Sequence, residues 1–244
     1  MEQTVNLYPI LNASGPEQMA RDDVILEYAA KGEASLRFYT WNAPTLSLGY
    51  FQKACERGSS ALTALPWLRR ATGGDAILHG DGDITYSLAL PADATWHDGE
   101  PWICRFHKLL RTVFDKQGVQ SKVVVCGEEA TLAPTLCFQH QTVGDLLVNG
   151  VKVVGSAQRK SRGALLQHGT IRLRSSMRVP ELPGILELTG VTLTLEKIEA
   201  GVTTRLLTEL GWSLELVNWT DEDLIRAKEI GSERYGSAEW NSKR

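Results

Sequence analysis

With 244 residues, 43% of them apolar and 23% charged, the chain has the balance of a folded protein with a sizeable core, not of a disordered one. A formal net charge of −3 gives no ground for general nucleic-acid or polybasic membrane binding, and no apolar run approaches the ~18–20 residues that cross a bilayer. The opening MEQTVNLYPI has neither a cationic stretch nor an unbroken apolar one, so no secretory signal is read there and a cytoplasmic location is expected.

Pro16 opens an amphipathic run in which Ala20, Val24 and Tyr28 recur every fourth residue, which predicts a helix over 16–31 ending at Gly32. LRFYTW (36–41) and TLSLGYF (45–51) read as strands around an Asn-Ala-Pro turn. Residues 65–72 and DITYSLAL (83–90) read as two more, flanking a glycine-rich stretch. Over 100–118, Ile103, Phe106, Leu110 and Val113 keep a helical spacing closed by Gly118. KVVVC (122–126) is a short buried strand, 143–158 a hairpin turning at Asn149-Gly150, and 163–173 a further strand. After Pro180 the pattern is mainly helical: 195–211, then a helix from Thr220 to 235 whose Thr220 and Asp223 form a capping-box pattern. The expected class is α+β (α/β), one domain over 1–244 with a mixed or antiparallel sheet flanked by helices. Neither a separate C-terminal accessory domain nor a doubly wound sheet is expected.

Three stretches carry chemistry. In RRATGGDAILHG (69–80), Gly73 and Gly74 either make a plain tight turn or let a ligand lie against the backbone. Arg69 and Arg70 offer planar donors to a carboxylate or phosphate, and His79 adjoins Gly80. In GVKVVGSAQ (150–158), strict alternation puts Val151, Val153 and Gly155 on one face and Lys152 with Val154 on the other. A lysine inside an apolar hairpin either has its pKa lowered by desolvation or guards a sheet edge. Gly155, Ser156 and Ala157 expose backbone N–H groups that suit an oxyanion or phosphate.

The third stretch is Leu136-Cys137-Phe138, set after Pro134 in an irregular segment. Cys55, Cys104 and Cys126 form no CxxC pair and read as small apolar residues. A cysteine becomes a nucleophile only where a base or cation reaches it. Lys152 is the first choice for that partner and His140 the local alternative. The five histidines, at 79, 97, 107, 140 and 168, show no metal-ligand spacing, so no metal is expected, and His79 and His168 are read as pocket residues.

Taken in order, MARDD (19–23), RFYTWNAPTLSLGYFQ (37–52), RRATGGDAILHGDGDITYS (69–87), VNGVKVVGSAQRKSRGALLQHGTI (148–171) and RYGSAEWN (234–241) resemble the biotin/lipoate protein ligase superfamily, in its lipoyl-assembly branch. The resemblance covers nearly the whole chain. It implies the catalytic-domain fold of that superfamily, with the arginine–glycine loop and the lysine strand walling a tunnel for a medium-length acyl chain. Three activities share that fold: ATP-dependent lipoate ligation, cysteine-dependent octanoyl transfer from acyl carrier protein, and amidotransfer between lipoyl-bearing proteins.

One octanoyltransferase group carries its nucleophile downstream of the lysine, where this chain has RGALLQHG (162–169) and no cysteine. Another carries it in a Cys-Phe pair before the lysine hairpin, which matches Cys137-Phe138. The chain departs from that second group at Asp75 and Gly80, which look more like the first. The resemblance therefore implies an octanoyltransferase with Cys137 and Lys152 as catalytic residues. It implies a substrate pocket of Arg69, Arg70, Gly73, Gly74, Asp75, His79, Gly155, Ser156, Ala157, Gln158, His168 and Gly169. Lys152 would hold the thiolate as a cation and later accept the incoming amine's proton. No cofactor is expected, ATP and magnesium entering only for a ligase. The implied partners are octanoyl-acyl carrier protein and a lipoyl domain or glycine cleavage H-type protein, with no nucleic acid or membrane. The reading in a different class is a non-catalytic module that binds acyl chains or their carrier.

Overall fold

In the computed structural model, residues 3–57, 60–80, 82–91, 99–131 and 136–244 are described; His97 and Pro134 lie outside them. The strands in chain order are β1 (Thr4–Leu7), β2 (Leu11–Ala13), β3 (Ala34–Trp41), β4 (Thr45–Leu48), β5 (Trp67–Arg69), β6 (Ile77–His79), β7 (Asp83–Pro91), β8 (Lys122–Val123), β9 (Ala130–Thr131), β10 (His140–Gln141), β11 (Leu146–Val148), β12 (Val151–Ser161), β13 (Ala164–Arg172) and β14 (Ser213–Leu216). The helices are α1 (Gly15–Ala29), α2 (Ser60–Thr63), α3 (Trp102–Lys116), α4 (Ile185–Thr189), α5 (Leu195–Leu210), α6 (Asp221–Ile230) and α7 (Ala238–Asn241).

The large sheet runs β14-β1-β3-β7-β13-β12-β11-β8, with β2 also beside β3. It is mixed: β14, β1, β2 and β3 pair in parallel, and every pairing from β3 through β7, β13, β12 and β11 to β8 is antiparallel. A small sheet, β5-β4-β6, lies beside it.

Alternation along the central strands separates two environments. Leu36, Phe38, Ile84, Tyr86, Leu88, Leu165 and Ile171 join Phe106, Leu110, Phe114, Ile198 and Val202 in the largest core cluster, so this face packs on α3 and α5. The opposite face carries Arg37, Tyr39, Thr85, Ser87, His168 and Thr170, all buried. A polar row can be buried only if each group finds a partner. Much of that service comes from α1. Its Asp22 accepts hydrogen bonds from Arg37 (2.8 Å), Tyr39 (3.0 Å), Ser87 (2.6 Å) and His168 (2.9 Å).

The hairpin turn at Asn149-Gly150 has positive φ at both residues, 50° and 79°, as its sequence predicts. The strand expected over 65–72 shrinks to β5, and that over 45–51 stops at Leu48, where Gly49 turns the chain against the glycine loop. The strand expected over 122–126 keeps only Lys122–Val123. The last expected helix divides into α6 and a wider turn over Gly231–Tyr235. No helix among the described residues is long and apolar enough to cross a membrane.

Candidate active site

A narrow cleft opens between the polar face of the large sheet, the N-terminal part of α1 and the small sheet. Met19, Arg70, Gly74, Ile77, His79, Thr85, Cys137, Gly155, Ser156, Ala157, His168, Gly169 and Thr170 line about 400 Å³ of space, and most of the lining surface is apolar. The cleft therefore combines a greasy interior with a cysteine on its wall.

Cys137 sits in a single 3-10 turn, Cys137–Gln139, whose start is tied to the glycine loop by a Cys137 N–H bond to the Ala76 carbonyl (2.8 Å). Lys152, buried, brings Nζ to 3.5 Å from Cys137 Sγ. The same ammonium lies 2.8 Å from Asp145 Oδ2, 3.2 Å from the Cys137 carbonyl and 3.1 Å from that of His140. Desolvation pulls the amine's pKa down, but the charges of Cys137 and Asp145 outweigh it, and the net direction is upward. Of the two readings the sequence left open for this lysine, the lowered pKa is therefore not the one found. Four acceptors, the Cys137 sulfur among them, surround the amine and favour its protonated form.

Its position also differs from simple alternation. Leu147 faces Lys152 while Leu146 faces Val154, so Val153 is an extra residue on β12. This bulge shifts the parity of the strand, and Lys152 lies on the side of Gly155: a Cβ on Gly155 would come within 2.6 Å of Lys152 Cε. The glycine leaves room for the amine. Because β11 ends opposite Val154, no strand among the described residues covers that edge of β12 from Gly155 onward. Backbone donors there are the candidates for an oxyanion site.

The two arginines divide. Arg69 is buried and binds the carbonyls of Gly49, Tyr50 and Asn241, away from the cleft, so the expected anion-binding role goes to a structural one. Arg70 lines the cleft and braces the glycine loop through the carbonyls of Gly73 (2.9 Å) and Asp75 (2.7 Å). Burial pushes its pKa down to about 10 against the opposing pull of Cys137 and Asp75, which leaves it a cation at neutral pH. The cysteine sulfur therefore stands in the field of two buried cations.

Of the glycine pair, only Gly74 has a positive φ (86°); Gly73 is off the cleft lining, and a Cβ there would meet only Phe51, at 3.9 Å. The Asp75 side chain is 43% exposed and turns to His140 rather than into the cleft. Gln158 is also off the lining and donates to Gln167 (2.9 Å).

His79 stacks on Trp41 with ring centroids 4.0 Å apart and bonds Ser47 (2.8 Å). His168 lies between Thr72 (2.7 Å) and Asp22 (2.9 Å). Ser156 lines the cleft, yet its hydroxyl turns inward to Tyr86 and His107, each at 2.6 Å. These side chains form wall and support around the adjacent Cys137 and Lys152.

Residues 14–211 match the family model described as the lipoyl protein ligase A/B catalytic domain. The chain belongs to that family. Octanoyltransferase LipM of Brevibacillus brevis is 32% identical, aligned over 97% of this chain and 98% of the relative. Among solved structures, lipoate-protein ligase A bound with ATP superposes with a TM-score of 0.79 at 18% identity, covering 99% of each chain. A bi-partite lipoate protein ligase from Thermoplasma acidophilum, from a study that includes its E2 lipoyl domain, gives 0.72 at 18%, covering 99% of this chain and 96% of that one. At such identity the structural likeness speaks for the fold, which is that of the lipoate ligase catalytic domain. In this member of the lipoyl protein ligase A/B family, sequence reading missed Asp145, Asp22, Met19, Ile77 and Thr170. Asp145 stands beside Gly144 in the predicted hairpin, and an acid seven residues before a buried lysine was the available signal.

Proposed function

We propose that this protein takes an octanoyl group from acyl carrier protein onto Cys137 as a thioester and passes it to a lysine of a lipoyl domain or a glycine cleavage H-type protein. The chain is an acyltransferase of lipoyl assembly, like the octanoyltransferases it is similar to over nearly its whole length. The observation that carries the mechanism is the Lys152 ammonium 3.5 Å from Cys137 Sγ on the wall of an apolar cleft.

A thiolate on Cys137 would be paired with that ammonium and would lie in the field of Arg70. It attacks the donor's thioester carbonyl; the S–C bond to Cys137 forms and the carrier's thiol leaves. One thioester replaces another, so the step is nearly balanced and needs no ATP. The acceptor amine then attacks the octanoyl-Cys137 carbonyl, and the resulting amide is the more stable product. The backbone N–H groups within Gly155–Ala157 that point away from β13, or those of the Gly74 loop, would serve the oxyanion, where one donor is worth about 3–4 kcal/mol.

Incubation with octanoyl-acyl carrier protein followed by peptide mass spectrometry is expected to find octanoyl on Cys137 and not on the exposed Cys55 or Cys126. Cys137→Ser is expected to abolish transfer with the fold intact; near-normal turnover would remove the cysteine from the mechanism. Turnover of free lipoate only with ATP would support the ligase activity instead, and a lipoyl protein as the sole effective donor the amidotransferase.

A further inference from the structure

A second cleft, of about 550 Å³, is built on the same two elements as the acyl cleft. On β12, Ala157 lines the acyl cleft, while Arg159 and Ser161, next on that side of the strand, line the second one. On α1, Met19 lines the first, and Asp23, Leu26 and Ala30, the following turns of one stripe, line the second. The Arg159–Asp23 ion pair, 2.9 Å, joins strand to helix between them.

Its lining is mostly polar and its charge is lopsided. Four arginines, Arg159, Arg162, Arg226 and Arg234, stand against two carboxylates, Asp23 and Glu27. The buried Asp23 gives one oxygen to Arg159 and the other to Arg234. Arg226 is held by Glu27 (2.7 Å) and by its neighbour Glu229 (3.1 Å), and Arg162 adds a cation at the exposed rim. The group is net positive on a chain whose formal charge is −3. Arg162 also holds its place against backbone preference. β12 turns at both ends through two residues of positive φ: Asn149-Gly150 at 50° and 79°, Arg162-Gly163 at 49° and 77°. Asparagine and glycine suit such a turn; an arginine in its first position is strained, and strain of this kind marks positions kept for a function.

We propose that this arginine cleft is the docking site for an acidic segment of the protein that delivers the octanoyl thioester. The inference rests on the reading of Cys137 as the residue that takes up the acyl group. Reach favours the donor over the acceptor. Lys152 meets the cysteine beside Gly155; along β12, Arg159 is about 13 Å further on and Arg162 about 23 Å. An acceptor lysine carries its amine on a short four-carbon stem, so its own domain must press against the mouth of the acyl cleft. A carrier's thioester rides on a phosphopantetheine arm several times longer, so that protein can anchor at a distance. Opposite charge then steers the carrier and fixes its orientation while the arm enters the acyl cleft.

Acylation of Cys137 is measured on the full chain with two donors: octanoyl-acyl carrier protein, and octanoyl-pantetheine, which bears the same thioester without the protein. Arg162→Glu is expected to lower kcat/KM with the carrier by about 10-fold, through KM, and to leave the small donor within about twofold. The carrier-dependent rate of the unsubstituted chain should fall as salt rises, and that of Arg162→Glu should fall less. Arg162→Asn separates surface from scaffold. It is expected to raise the thermal unfolding midpoint, because asparagine suits the turn, and still to slow the carrier reaction. An unchanged kcat/KM with the carrier in Arg162→Glu would overturn the proposal, and so would an equal loss with both donors. A loss confined to transfer from octanoyl-Cys137 to a lipoyl domain would overturn it as well, by giving the surface to the acceptor. Failure of both donors to acylate Cys137 in the unsubstituted chain would instead sink the acyl-enzyme reading from which the proposal starts.

Discussion

At the scale of single residues, the Lys152–Asp145 pair makes stability and activity hard to separate. Both side chains are buried, with 2% and 3% exposure, and removing one partner leaves the other charge uncompensated. Lys152→Ala is therefore expected to destabilise the protein by about 3–5 kcal/mol as well as to abolish transfer. The double variant Lys152→Ala with Asp145→Asn separates the two effects. Urea unfolding should show much of the stability regained, while octanoyl transfer stays absent. Recovery of both would mean that the amine is structural only.

At the scale of elements, the glycines sort by what a side chain would strike. A Cβ on Gly49 would come within 1.7 Å of the Gly74 carbonyl oxygen, so Gly49→Ala must displace the loop that walls the cleft. Its transfer activity is expected to be lost. Gly73→Ala should leave activity near normal, because only the Phe51 ring lies within 4 Å. Gly155→Ala would push Lys152 away from the sulfur and is expected to lower turnover more than it lowers the unfolding midpoint. Steady-state kinetics beside thermal unfolding checks all three. Equal activity in Gly49→Ala and Gly73→Ala would refute this ordering.

At the scale of the whole molecule, the sheet puts a dry core on one face and a bonded polar layer on the other, and His107 bridges from the core helix α3 to β12 beneath the cleft. Burial pushes the His107 pKa down from 6.5 to about 4, so it is neutral in the folded protein. Between those values the unfolded chain binds a proton that the folded one does not. Stability therefore falls as pH drops from 6.5 to about 4, by on the order of 3 kcal/mol from this residue. His107→Gln is expected to flatten that slope in unfolding measurements at stepped pH. An unchanged slope would assign the acid sensitivity to other groups.

Local patterns are legible wherever neighbouring residues decide the outcome. The turn at Asn149-Gly150, helices α1, α3 and α5, the long strands β3, β7 and β13, and the Cys-Phe signature before the hairpin were all readable from the chain alone. The short strands β1 and β14 were not, because their partner lies some two hundred residues away and pairing supplies the order that four residues lack. The side of β12 on which Lys152 emerges could not be read either: one extra residue at Val153 reverses the parity, and a bulge depends on the partner strand. The sequence by itself determined the family and the class of fold, and it singled out Cys137 as the candidate nucleophile. Only the tertiary structure decided that Lys152 is a held cation beside the Cys137 sulfur and that Arg69 is a brace. Charge and proton affinity depend on burial and on distances of a few ångströms, which are set by segments remote along the chain.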